Sequence, residues 1–142
     1  MSPAPATCDP DIAIATATEF LLRNKQKANN FIWGELESAG ELSFIVENLP
    51  KDGTGCRGWW MFDAMMSHFG ATVQAIRGNW TYGDNLDAVN RLTASGVSLE
   101  DAARQTRTGG YAQTWGYTVV QVLRQCSGTA GVYARVYVLF KK

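Results

Sequence analysis

The chain reads as an α+β domain: a mixed, twisted sheet of about five strands with helices packed on its faces. Three observations predict it. Runs after residue 30 and near the C-terminus are β-rich, and the last two alternate apolar and polar residues as half-buried strands do. The middle of the chain carries apolar residues at helical spacing, and Gly, Pro, Asn and Ser clusters separate the segments. The chain has 142 residues, 46% of them hydrophobic, which is enough for one core. No repeat or linker divides it, so residues 11–142 are expected to form one domain behind a flexible lead, residues 1–10.

Taken in order, Pro10-Asp11 reads as a helix start with Asp11 as N-cap. Ile14, Thr18, Leu21 and Leu22 then share a helical face as far as about Lys27, and Asn29-Asn30 ends it. Phe31–Leu36 and Leu42–Glu47 read as a β-hairpin around Ser38-Ala39-Gly40, closed by Leu49-Pro50 because proline cannot donate to a central ladder. Trp59, Phe62, Met66 and Phe69 form a helical stripe, widened by Trp60, Met61 and Met65, with Gly70 as the cap after it. A helix apolar over so much of its girth is covered on both sides or lines a pocket. Adjacent helix positions point about 100° apart, so Trp59 and Trp60 cannot both enter one core face.

Val73–Trp80 reads as the next strand, broken by Gly78. Asp84 is expected to cap a short helix with Leu86, Val89 and Asn90. Ser98-Leu-Glu-Asp101 resembles a capping box with Asp in place of Glu and opens a further helix with Leu99, Ala102 and Ala103 inward. Gly109-Gly110 interrupts it, and Tyr111–Trp115 makes a last turn or two. Thr118–Arg124 and Tyr133–Phe140 form a C-terminal hairpin.

Composition limits the function classes. Thirteen basic and 13 acidic residues leave formal charge zero, which argues against coating nucleic acid or an anionic membrane by net charge; nucleic acid is not indicated. Cys8, Cys56 and Cys126 are scattered and form no CxxC metal pattern, so they are expected to be reduced thiols in a cytoplasmic setting, with no metal site. No apolar run reaches the roughly 18 residues of a membrane span.

The most informative segment is Gly53-Thr54-Gly55-Cys56-Arg57-Gly58, between a strand and a helix. It serves as a structural turn or as an anion cradle, where main-chain N–H groups at a helix start face a phosphate and Arg57 adds charge. No Lys-Ser/Thr pair follows, so it is not a Walker A loop. Cys56 reads as a small buried thiol before it reads as a nucleophile. His68, the one histidine, suits the C-terminal end of its helix as a cation. Glu35, Glu37 and Glu47 read as a solvated strand face or as a source of one general base, with Glu47 preferred for its closeness to the loop. Asp84, Asn85 and Asn90 are candidates for hydrogen-bonding a ligand.

The order strand, glycine loop, helix, strand, helix and hairpin resembles the GNAT (general N-acetyltransferase) fold over about residues 31–140. Its loop pattern R/Q-x-x-G-x-G/A aligns with Asp52–Arg57, with Asp52 in place of Arg or Gln and Arg57 in place of Gly or Ala. The resemblance implies an acyl-CoA-dependent N-acyltransferase-like domain that holds the pyrophosphate of acetyl-CoA on Gly53, Thr54, Gly55, Cys56, Arg57 and Gly58. Glu47 would take the proton from an amine. The family's tyrosine acid would fall on Ala112, and Tyr111 is one position off. Residues 53–142 also resemble C-terminal domains of bacterial polymorphic toxins, including Rhs-type proteins, through Gly78–Asn90, Ala102–Gly109, Gly116–Val122 and Val136–Phe140. That resemblance implies a delivered effector in a target-cell cytoplasm and an immunity protein as partner. A non-enzymatic protein-binding module using Trp59/Trp60, or a toxin using another phosphate-bearing cofactor such as NAD, are the alternatives.

Overall fold

The computed structural model describes residues 7–48, 54–124 and 129–142 and the backbone of residues 125 and 126. Leu49, Pro50, Asp52 and Gly53, which the sequence reading used, lie outside the described residues. The chain forms two compact units, Met1–Val73 and Gln74–Lys142.

In the first unit four strands follow one another as an antiparallel meander: β1 (Pro10–Ala15), β2 (Glu19–Asn24), β3 (Lys27–Leu36) and β4 (Glu41–Asn48). The expected N-terminal helix is therefore two strands. Ile12, Ile14, Thr16 and Thr18 are β-branched and stiff at χ1, and β3 offers a complete ladder that a lone helix would forgo. Two extra strands arise from that one segment, so the described residues form seven strands, not about five. The hairpin expected at residues 31–47 is present as β3 and β4.

Helix α1 (Gly58–Phe69) follows, then a 3-10 turn, Gly70–Thr72. One face of the meander carries Phe20, Leu22, Ile32 and Leu42, all buried, and α1 lies on this face. The Phe44 and Phe62 rings meet edge to face at 5.3 Å, and Phe20 stacks on His68 at 5.2 Å. Trp60, Met61, Phe62, Met65, Met66 and Phe69 are all buried, whereas Trp59 is 45% exposed, so the two adjacent tryptophans part as their 100° offset requires. At roughly 1.5–3 kcal/mol per fully buried large side chain, burial of this helix contributes strongly to the stability of the unit.

In the second unit β5 (Ala75–Trp80), β6 (Val119–Cys126) and β7 (Arg135–Lys141) form antiparallel ladders with β7 between the other two. Helices α2 (Asp84–Ala94), α3 (Leu99–Arg104) and α4 (Arg107–Thr114) come between β5 and β6 in sequence. Gly83, not Asp84, is the N-cap of α2, and Asp84 opens the helix. Ser98 caps α3 as expected, accepting from the Asp101 amide at 3.2 Å. The Gly109-Gly110 pair does not interrupt: it lies inside α4, which Thr106 caps by accepting from the Gly109 amide at 3.0 Å. Glycine is required at position 109 because a Cβ there would sit 2.4 Å from the Ala103 carbonyl oxygen. The two short helices can touch only through a missing side chain. The α+β class thus holds in each unit.

Candidate functional site

The glycine loop is tied down from three sides. Cys8 and Cys56 form a disulfide with Cα atoms 4.5 Å apart, closing a loop across 48 positions. This corrects the expectation of reduced thiols: sequence spacing could not show that β2 and β3 return the chain to bring these two together. The Cys56 amide donates to the Asn30 Oδ1 at 2.6 Å, and Asn30 Nδ2 returns a bond to the Cys56 carbonyl at 2.8 Å. The Gly55 amide donates to the Thr7 Oγ1 at 2.7 Å. Lys27 Nζ donates to the Thr54 hydroxyl. Gly55 has φ +82°, and a Cβ there would lie 2.7 Å from Asn30 Oδ1, so both conformation and space demand glycine.

Asn30 and Asn24 organise this knot. Both are buried, at 1% and 2% exposure. Asn24 Nδ2 donates to Asn30 Oδ1 at 3.0 Å, and Asn24 Oδ1 accepts from the Asp9 and Gln26 amides. Asn30 Nδ2 also reaches the Asn48 side chain at 3.0 Å. Sequence reasoning took Asn29-Asn30 for a break and missed both residues. Their signal was present: asparagine is depleted in strands, and one on each side of the Lys25-Gln26 turn, six positions apart, asks for a reason.

The consequence for the expected cofactor site is direct. Of the loop amides expected to face a phosphate, those of Gly55 and Cys56 have protein acceptors. Arg57 is exposed and is the N-cap of α1 without a side-chain capping bond, and Gly58 is buried as its first residue. Thr54 is half-buried. The expected catalytic pair falls in separate units: Glu47 on β4 of the first, Tyr111 on α4 of the second, each half-buried. His68 donates through Nε2–H to the Thr16 carbonyl at 2.6 Å and packs on Phe20 and Phe69, a structural post at the end of α1.

A second feature lies within the second unit. An open cleft of about 510 Å³ is lined by Asp84, Asn85 and Asp87 at the start of α2 and by Arg91, Thr106 and Arg107. Asn85 Nδ2 donates to the Thr108 hydroxyl at 3.0 Å, so this asparagine braces α2 against α4. Burial raises the Tyr117 phenol above its ordinary range. Among the described residues, no group of three His, Cys, Asp or Glu side chains is placed to hold a metal ion. Nor is any described helix long and apolar enough to cross a membrane.

The third feature is the face of the first unit opposite α1. Its register sets Ile14, Leu21, Trp33 and Ile45 in one row across all four strands. Trp33 is 39% exposed and Ile45 is 54% exposed. Charged rows flank it. On one side Asp11, Arg23, Phe31 and Glu47 align, with Arg23 Nε 3.0 Å from Asp11 Oδ2. On the other are Glu19, Glu35 and Ser43, and Trp33 Nε1 donates to Glu19 at 2.8 Å. Charge is also divided unevenly along the chain. Residues 1–73 hold five cations against nine carboxylates, net −4, and residues 74–142 hold eight against four, net +4.

No family model, no curated protein and no solved structure matches this chain.

Proposed function

We propose that the chain is a non-enzymatic protein-binding module whose recognition face is the open side of the four-stranded meander. The observation that carries this reading is the Ile14–Leu21–Trp33–Ile45 row, apolar, partly exposed and framed by charge, opposite a face fully used by α1. A tryptophan at the centre of such a patch, with carboxylates and Arg23 at its rim, has the composition of an interface hot spot. At about 3.3 Å per residue and 4.8 Å between strands, the face spans roughly 450 Å². That is more than half of the about 800 Å² each partner contributes to a standard interface, so neighbouring loops must complete it. The glycine loop supports the same reading, since its Gly55 and Cys56 amides are spent on internal bonds.

The setting follows from the likeness of residues 53–142 to polymorphic toxin domains: a delivered effector domain bound by an immunity protein. A disulfide is in keeping with passage through an oxidising compartment. The test is a double variant, Trp33→Ala with Ile45→Ser, co-expressed with the product of the adjacent gene. The variant should stay folded, with a urea midpoint change worth less than about 1 kcal/mol, and should no longer co-purify with that product. Undiminished co-purification by the folded variant would remove the open face from the proposal.

Acyl transfer remains the second reading, supported by the order strand, glycine loop, helix, strand, helices and hairpin from β4 to β7. It predicts that millimolar acetyl-CoA raises the melting temperature. The binding-module reading predicts no shift.

A further inference from the structure

The three strands of the second unit have one buried apolar face and one largely polar face, which also carries the buried Leu139 and the exposed Val119, and every charge on these strands is positive. Ile76, Val136, Val138 and Phe140 form the buried face. The ladder register puts Arg77 beside Leu139 and Gln121, and Arg124 beside Tyr137 and Asn79. Since residues two apart on a strand share a side, Arg135 and Lys141 join Tyr137 on that same polar face. The four carboxylates of the unit, Asp84, Asp87, Glu100 and Asp101, belong to α2 and α3. From Ala102 to Lys142 the chain carries six cations and no acidic side chain. The neutral total of the whole chain conceals this.

Tyr137 stands at the centre of the face. The Arg77 guanidinium carbon lies 5.6 Å from its ring centroid and that of Arg135 lies 5.9 Å away. Arg135 Nε is held by the Asn79 side chain at 3.0 Å, which fixes the guanidinium plane. Arg124, Gln121 and Asn79 are exposed.

We propose that this face binds single-stranded nucleic acid. Phosphates would be neutralised by Arg124, Arg135 and Lys141, and bases would stack on the outward sides of the guanidinium planes that lie over the half-buried Tyr137 ring. An extended strand matches an open sheet surface, and π-faces interleaved with cations suit bases of any sequence. An acidic protein would use the charge but not the stacking platform. The mode is therefore sequence-tolerant, with affinity set by salt.

The test is fluorescence anisotropy of a fluorescein-labelled oligothymidylate 15-mer with the full chain. Saturable binding in roughly the micromolar range is expected at 50 mM salt, weakening about 20-fold by 200 mM if three phosphates are engaged. The Arg124→Gln/Arg135→Gln double variant should bind at least about tenfold more weakly, with a salt slope reduced to that of about one contact. Tyr137→Leu should weaken binding by about fivefold or more while keeping the wild-type slope, the mark of lost stacking. Urea midpoints show whether each variant is folded. No saturable binding at 50 mM salt would overturn the proposal, as would unchanged affinity in the folded double variant. Competition by polyglutamate as effective as that of unlabelled oligonucleotide would assign the face to an acidic protein instead.

Discussion

At the scale of single residues, Asn30 does more than any other described side chain to hold the glycine loop. Its amide accepts from Cys56 and donates to Cys56 and Asn48, so each half of the group has a distinct task. An isosteric carboxylate keeps the acceptor and removes the donor, leaving negative charge against the Cys56 carbonyl in a buried site. Asn30→Asp should cost about 3 kcal/mol or more at neutral pH, measured from urea unfolding. Asn29→Asp, one residue away and exposed, should change stability by less than about 0.5 kcal/mol. Equal effects at the two positions would mean that this bond network contributes nothing special. Gly55 belongs to the same argument: a bulky replacement meets Asn30 and requires a φ that L-residues avoid, so it tests folding before it tests any ligand.

At the scale of elements, α4 shows how two adjacent glycines differ. Both lie in the helix, and neither has positive φ. A Cβ at Gly109 would press on the Ala103 and Arg104 carbonyl oxygens, at 2.4 and 2.5 Å, whereas a Cβ at Gly110 meets nothing within 4 Å. Gly109→Ala should therefore destabilise by about 2–3 kcal/mol, through forced separation of α3 and α4. Gly110→Ala should stabilise by about 0.5–1 kcal/mol, because alanine loses less backbone freedom in a helix. Thermal unfolding of the pair gives opposite signs if the helices are in contact as described, and like signs if they are not. The same scale explains the N-terminal misreading. Spacing at Ile14, Thr18, Leu21 and Leu22 fits a helix, but the segment turns at Thr16–Thr18, where the Glu19 and Thr18 amides donate to the Thr16 hydroxyl. That turn makes two strands of one helical pattern.

At the scale of the whole molecule, the Cys8–Cys56 bridge ties the start of the chain to the start of α1. Closing a loop across 48 positions restricts the unfolded chain by about 4 kcal/mol in the chain-entropy account. Reduction, or a Cys8→Ser/Cys56→Ser pair, should lower unfolding stability by about 2–4 kcal/mol, read as a shift in urea midpoint with and without reductant. A midpoint indifferent to reductant would mean that the asparagine knot alone suffices.

Much of the fold from residue 31 onward was legible in the residues themselves. The hairpin around Ser38–Gly40, the broad apolar stripe of α1, the Ser98 cap and the C-terminal alternation are local signals, and local chemistry was enough to read them. The candidate sites were less legible. The apolar row of the open face draws one residue from each of four strands, and its members acquire meaning only through cross-strand register. The cationic face is built likewise, from arginines up to 58 positions apart that a shared parity brings to one side. What the sequence determined on its own was the α+β class, most elements and the split between Trp59 and Trp60, because each depends on neighbours within a few positions. Tertiary structure alone decided the disulfide, the fate of the glycine-loop amides and the two open faces. Each of those depends on which distant groups the folded backbone sets within bonding reach, and spacing along the chain does not encode that distance.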